Sequence, residues 1–441
     1  MTDPLACVVD LGSYNLQCGL DNREFIPRSV FRNVLLEIEK SSFLIGDDQV
    51  GEYVKKKHHH TPPMLNRSDD YNDDDELLLH YPVQHGQIQN WFYFEQVLHF
   101  MYDSELRISS EDHPCFMTHC PLFSMHSKKQ LLHLLFENFQ VPKFYGATQS
   151  KCSLLRHVTS GLEVSSGHDM TYVVPIVEGM VLPHAVVKSG GAGGAGGENG
   201  DGLGGRYVNE QLEWLLKNDE QDHDEMEIRR RIQQQSSSLK NNASLFMKHQ
   251  ALDEIKRRGG FFISQDYEAD FMKMVESKFT STNVTHYQLP DGKEIVLDDK
   301  VRIQSTEILF QPHLRFLSNV LTTTATTTNT TTSTTLGLHE MIYQCVQQCP
   351  VDLRSTLWSN IVLSGGNTLF RGIETRLRNE LNHLVPTNVN IGIIAPPERQ
   401  YSVWMGALAL AKSSQLDDLW VTCEEFHEFG ENIAHRKLIM T

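Results

Sequence analysis

The sequence predicts an α/β fold made of two related halves, and three observations carry that expectation. Strand-rich and helix-rich segments interleave along the chain, as they do in layered α/β proteins. A strand, a small-residue turn and a second strand occur near the start (VVDLGSYNLQCGL) and again mid-chain (LEVSSGHDMTYVVP). This is a weak internal repeat that would offer two similar turns to one shared cleft. A third segment, IVLSGGNTLFRGI, runs from an apolar strand through glycines into a helix.

Taken in order, Cys7 to Asp10 and Gln17 to Leu20 are short strands about a tight Gly12-Ser13 turn, and Met170 to Val177 is a strand after Ser166-Gly167. Val208, Leu212 and Leu215 recur at helical spacing, as do Ile373, Leu377, Leu381 and Leu384 after the strand Ile361 to Leu363. Low-complexity stretches at 55–76, 189–205 and 322–335 cannot bury an apolar face and read as surface insertions. The polar stretch 218–242 is a fourth candidate.

Size and composition set limits. A chain of 441 residues implies two or three units, and 40% hydrophobic with 22% charged residues is ordinary for a globular protein. Asp and Glu outnumber Lys and Arg by 56 to 39, a formal charge of −17 that repels phosphate backbones and argues against direct nucleic-acid binding. The start MTDPLACVVD has no basic region followed by an apolar one, and no run of about 18 apolar residues occurs. The expectation is a cytosolic or nuclear protein without membrane insertion. Eight scattered cysteines without a Cys-x-x-Cys pair read as reduced, mostly buried thiols.

The turns suggest chemistry. A Gly-Ser turn between antiparallel strands presents backbone N–H groups to phosphate, and a carboxylate at the strand end, here Asp10, can hold Mg²⁺ through water. Taken alone, Asp-Leu-Gly-Ser is equally an ordinary β-turn. Ser364-Gly365-Gly366 would let a flat nucleobase approach the backbone, although Gly-rich turns are also common punctuation.

Together these pieces resemble actin. So do LLLHYPVQHGQIQNWFYFEQVLHFMYDSELRISSEDHP, YQLPDGKEI, ILFQPHL, PVDLRSTLWSNIVLSGGNTLFRGI, IIAPPERQYSVWMGALALA and the ending HRKL. The resemblance covers most of the chain outside the insertions and implies two ribonuclease-H-like halves around a nucleotide cleft. It divides the chain into subdomain 1 (1–32, 80–155 and 402–441), subdomain 2 (33–79, insertion 55–76), subdomain 3 (156–188 and 337–401) and subdomain 4 (189–336, with the Gly-rich and Thr-rich insertions). It implies ATP or ADP with Mg²⁺ as ligand. Asp10, Gly12 and Ser13 match the first phosphate turn and Gly167 the second. Ser364, Gly365 and Gly366 match the adenosine loop, and Lys256 matches a basic residue flanking adenine.

Departures from the family pattern fall on the same site. Gln17 stands for the lysine after the first turn, so a charge-assisted phosphate contact becomes a neutral one. Ser165 stands for the metal-organising aspartate of the second turn, His168 for the acidic residue beyond it, Gln400 for an adenine-flanking lysine and Phe370 for a tyrosine near the base. For hydrolysis, Gln149 matches the glutamine that orients the attacking water, while Tyr172 stands for its assisting histidine. Glu163, two residues before Ser165 and about 6.5 Å from it along a strand, is a candidate replacement carboxylate. The competing reading caps a strand end and points it to solvent.

The long loop that plugs actin protomers together is essentially missing between PRSVF and FLIGDD, and the Thr-rich run falls where actin has a plug loop. Conventional filaments are therefore not expected. His58 to His60 beside Lys55 to Lys57 read as solvated loop rather than metal site, and the Gly run from Gly190 lacks the Lys-Ser or Lys-Thr of a phosphate loop. The leading expectation is an actin-related cytoskeletal or scaffold protein with a degenerate ATP cleft, weak nucleotide binding and little hydrolysis. It would be cytoplasmic or nuclear and engaged with actin or a multi-subunit complex. The alternatives are an ATP-hydrolysing, filament-forming actin, a chromatin-remodelling subunit, and a sugar kinase of the same superfamily, for which no catalytic aspartate can be placed.

Overall fold

A computed structural model describes residues 4–21, 25–39, 42–59, 78–189, 202–218, 242–276, 284–288, 294–315 and 335–438. The stretch 219–241, most of the Gly-rich insertion and nearly all of the Thr-rich one lie outside these residues.

The first half is built on β1 (Cys7–Leu11), β2 (Asn15–Leu20), β3 (Ser29–Arg32), β4 (Cys115–His119) and β5 (Lys143–Thr148). Every residue of β1 is buried, because the strand lies inside the sheet between β2 and β4 with both faces covered. β1 runs antiparallel to β2 and parallel to β4. The second half repeats this plan with β6 (Gly161–Ser166), β7 (Thr171–Val177), β8 (Ile361–Ser364) and β9 (Ile393–Ile394). There β6 is antiparallel to β7 and parallel to β8, which is parallel to β9.

The registers turn this repeat into a structural equivalence. Asp10 lies opposite Gln17 and Thr118, and Ser165 lies opposite Tyr172 and Ser364. The two residues thus hold corresponding positions in the two hairpins. The halves also share a packed seam. Alternate residues of β7 (Tyr172, Val174, Ile176) join the first core while Val173 joins the second, as period-two side-chain alternation requires.

Helices supply the rest. α1 (Gly46–His59) carries Lys55 to His59 as helix and corrects the reading of that stretch as solvated loop. Asp47 and Asp48 in its first turn complement the helix dipole, and Lys56 pairs with Glu52 one turn back. His60 and the remainder of the insertion to 76 lie outside the described residues. α2 (Gln149–Leu155), α3 (Gly205–Asn218), α4 (Asn242–Arg258), α5 (Ile373–Leu384) and α6 (Ser402–Ala411) follow.

α6 returns the chain to the first half and presses on α2. A Cβ on Gly406 would stand 1.8 Å from the Cys152 carbonyl oxygen, so only glycine permits this approach. On α5, the buried Arg376 donates to both oxygens of the buried Glu307, at 2.8 and 3.1 Å. None of the eight cysteines forms a disulfide, and seven are buried.

A small lobe of three strands (Leu35–Glu39, Ser42–Ile45, Leu78–His80) and α1 has its own core of Val34, Leu36, Val50 and Val54. The fifth member of that core is Phe246, fully buried and contributed by α4 from the opposite side of the cleft.

Candidate functional site: the cleft between the two turns

Asp10, one residue before the end of β1, has its carboxylate already engaged. Its Oδ1 accepts from Thr118 Oγ1 at 2.6 Å and from Gln149 Nε2 at 2.9 Å, and Gln149 Nε2 also donates to the Leu11 carbonyl at 3.0 Å. Burial raises the Asp10 carboxyl, partly offset by the Thr118 and Gln149 donors. The structure thus brings Asp10 and Gln149 together. Gln149 sits at the first position of α2, where the β5 strand ends.

Glu163 is elsewhere. It is fully buried on β6 and its Oε1 accepts from Ser364 Oγ of β8, so the solvent-pointing reading does not hold. Burial pushes its carboxyl up to about 7, against the opposing Ser364 and Ser150 hydroxyls. It faces neighbours other than those of Asp10. Among the described residues no group of three His, Cys, Asp or Glu side chains gathers as a metal cluster.

The first turn also meets the turn at His85-Gly86. Ser13 Oγ accepts from the Gly86 amide at 3.0 Å, and the neighbouring His85 amide donates to Asp169 of the second turn at 3.2 Å. In the second turn the Gly167 amide donates to the Met170 carbonyl at 3.0 Å. The amides of Gly205 and Arg206, at the N-terminus of α3, donate to the carbonyls of Gly167 and His168. Those are the helix-terminal groups that would otherwise be free for an anion.

At the third segment, Gly365 has φ 84°, and a Cβ there would stand 2.3 Å from the Ser166 carbonyl, which explains the glycine. A Cβ on Gly366 would meet nothing within 4 Å, so space is open beside it. Asn367 Nδ2 ties this loop to the second turn through the Gly167 carbonyl at 2.7 Å. Lys256 Nζ lies 3.1 Å from Asp253 Oδ1 and 3.2 Å from the Gly205 carbonyl. Gln17 Nε2 donates to the Gln400 carbonyl at 3.3 Å, so the two glutamines that stand for family lysines meet each other.

Sequence reasoning missed the residue at the centre. Tyr14, directly after Ser13, lies against His168 of the second turn with ring centroids 4.1 Å apart and the planes tilted by 33°, and its hydroxyl bonds Asp253 of α4. Arg32 lies over the Tyr14 ring at 4.3 Å and pairs with Asp47 at 3.1 Å and Asp253 at 3.4 Å. Asn209 Nδ2 donates to the other Asp253 oxygen at 2.7 Å. Burial alone would raise the Asp253 carboxyl, but Lys256, then His168, Asn209 and Tyr14, hold it below the usual range. Burial pushes the His168 imidazole down to about 4, which leaves it neutral at pH 7. A bulky aromatic inside a turn meant to approach phosphate was the available signal.

Two α/β halves with equivalent hairpins, each aiming its turn at a common cleft, define the architecture of the actin-like class. The family model described as Actin matches residues 2–439. The chain belongs to the actin family. Members of that family generally bind ATP or ADP with Mg²⁺.

Proposed function

We propose that this chain serves as an actin-family scaffold or partner-binding subunit, with a degenerate cleft that binds adenine nucleotide weakly and hydrolyses it slowly, and that it does not build conventional filaments. One observation carries the reading. The position equivalent to Asp10 in the second half is Ser165, and Glu163, two residues before it on β6, is fully buried with its Oε1 accepting from Ser364. A metal bridging two carboxylates across the turns therefore lacks its second support.

The phosphate half of the cleft does not fit an Mg²⁺-bound polyphosphate. Gly12, Ser13 and Gly167 keep the turn shapes, but the Ser13 hydroxyl is engaged by the Gly86 amide and the Gly167 amide by the Met170 carbonyl. The base half keeps more: the loop Ser364-Gly365-Gly366 is in place with open space beside Gly366, and Lys256 Nζ lies at the Gly205 carbonyl. Weak adenine nucleotide binding is what this combination supports, with Gln149 the residue that would position water in any residual hydrolysis.

No described helix is long and apolar enough to cross a membrane, and the −17 charge speaks against nucleic acid. Protein partners, either actin itself or a multi-subunit assembly, are the expected company, in the cytoplasm and cytoskeleton or the nucleus. The test combines phosphate release from ATP with sedimentation under salt and Mg²⁺ conditions that polymerise actin. Release far below that of polymerised actin, with all protein in the supernatant, is expected. Actin-like release, or pelleted filaments, would overturn the reading.

A further inference from the structure

We propose that the protein supplies its own cleft filler: the Tyr14 ring occupies the space between the two turns, and Tyr14, Arg32, Asp253 and Phe246 together clasp the two sides of the cleft closed without nucleotide. This deepens the scaffold reading and rests on it in one respect, the assignment of the space between the turns as the phosphate site.

Three independent features support the clasp. The first is steric. Tyr14 belongs to the first turn and His168 to the second, so rings in contact at 4.1 Å leave no gap between the turns for a phosphate chain to enter.

The second is electrostatic. A polyphosphate needs uncommitted cations, yet the buried Arg32 is paired with Asp47 and Asp253, and Lys256 is paired with Asp253. The buried carboxylate of Asp10 lies on the same wall, and His168 contributes no positive charge at pH 7. An incoming anion would have to compete with the buried Asp253 for both cations, and breaking a buried pair costs more than such a pair contributes when formed.

The third is apolar and reaches beyond the turns. Phe246 of α4 is completely buried in the core of the small lobe, among Val34, Leu36, Val50 and Val54. Arg32 sits over its ring at 5.0 Å, so one guanidinium is in contact with both the aromatic anchor and the Tyr14 plug. Fully burying a Phe contributes on the scale of a major core residue. The small lobe and α4 thus have a permanent reason to stay together, independent of any ligand.

The experiment uses the full chain in four forms: parent, Tyr14→Gly, Tyr14→Phe and Phe246→Ala. Each is titrated calorimetrically with Mg²⁺-ATP and Mg²⁺-ADP, and closure of the nucleotide-free protein is followed by hydrogen exchange of 34–54 and 242–258. The parent should bind weakly and show slow exchange in both segments without nucleotide. Tyr14→Gly should tighten binding about tenfold or more, the equivalent of removing roughly 1.4 kcal/mol of competition.

Tyr14→Phe keeps the ring and loses only the hydroxyl to Asp253, so its affinity should stay with the parent. Phe246→Ala should accelerate exchange in both segments together. Parent affinity equal to that of Tyr14→Gly overturns the clasp. Should Tyr14→Gly fail to fold, Phe246→Ala and the parent decide alone: fast parent exchange that slows only on adding nucleotide overturns it. The scaffold reading fails on different measurements, phosphate release and pelleting.

Discussion

Glu163 allows a direct test of where the missing carboxylate went. Its carboxyl is pushed from the ordinary 4.5 to about 7, first by burial and against the Ser364 and Ser150 hydroxyls. A carboxyl raised in the folded state binds its proton more tightly than in the unfolded chain. Stability is therefore greatest below about pH 4.5, falls as pH rises through the window up to about 7, and is level above it. At one pKa unit per 1.36 kcal/mol, the ionised carboxylate costs up to about 3 kcal/mol at pH 8.

Glu163→Gln is neutral, has nearly the same shape and can still accept from Ser364. It should remove this slope and raise the denaturation midpoint at pH 8, with little change near pH 5. Calorimetric melts between about pH 5 and about pH 8 measure it. Superimposable pH profiles for parent and variant would refute the burial argument. If Mg²⁺ with ATP raises the parent midpoint and Glu163→Gln abolishes that rise, Glu163 organises metal instead.

Two further predictions concern packing. Arg376→Met strands the buried Glu307 without its bidentate partner and should destabilise by about 3–5 kcal/mol. Glu307→Gln should cost less because Arg376 Nε keeps Glu380 at 2.6 Å; urea titration compares them. Gly406→Ala forces α6 away from α2, since the new methyl would overlap the Cys152 carbonyl, and should cost about 2–3 kcal/mol in the same assay.

Much of the fold was legible because it rests on local patterns. The hairpins about Gly12-Ser13 and Ser166-Gly167, the apolar β8 and the period of Ile373, Leu377, Leu381 and Leu384 all lie where the sequence puts them. Their side chains, the exposed Leu384 excepted, announce burial through neighbours close in sequence. The KKKHH stretch was misread because its composition suggests solvent, whereas the acidic start of α1 and its i,i+4 pair carry the helix through to His59. The clasp was illegible for another reason. Tyr14, Arg32, His168, Asp253 and Phe246 are scattered over more than two hundred positions, and only the folded sheets bring them together. Composition shows an Arg and an Asp but not that the fold pairs Arg32 with Asp253.

The same geometry says that restoring actin's lost groups will work only in one order. Ser165→Asp adds a carboxylate at the position equivalent to Asp10, and Gln17→Lys adds a cation where Gln17 now meets Gln400. A charged hydrogen bond of this kind is worth roughly 1.5–3 kcal/mol when a phosphate is there to receive it. With Tyr14 packed against His168, that phosphate has nowhere to sit, so the pair of substitutions should hardly change Mg²⁺-ATP affinity in the parent. In the Tyr14→Gly background the same pair should tighten binding by an order of magnitude or more and raise phosphate release. Groups that act through one shared site are non-additive in this sense, and a double-mutant cycle on the dissociation constants reads the coupling directly. Equal improvement with and without Tyr14 would mean that the ring yields to nucleotide and that the missing charges alone account for a weak cleft.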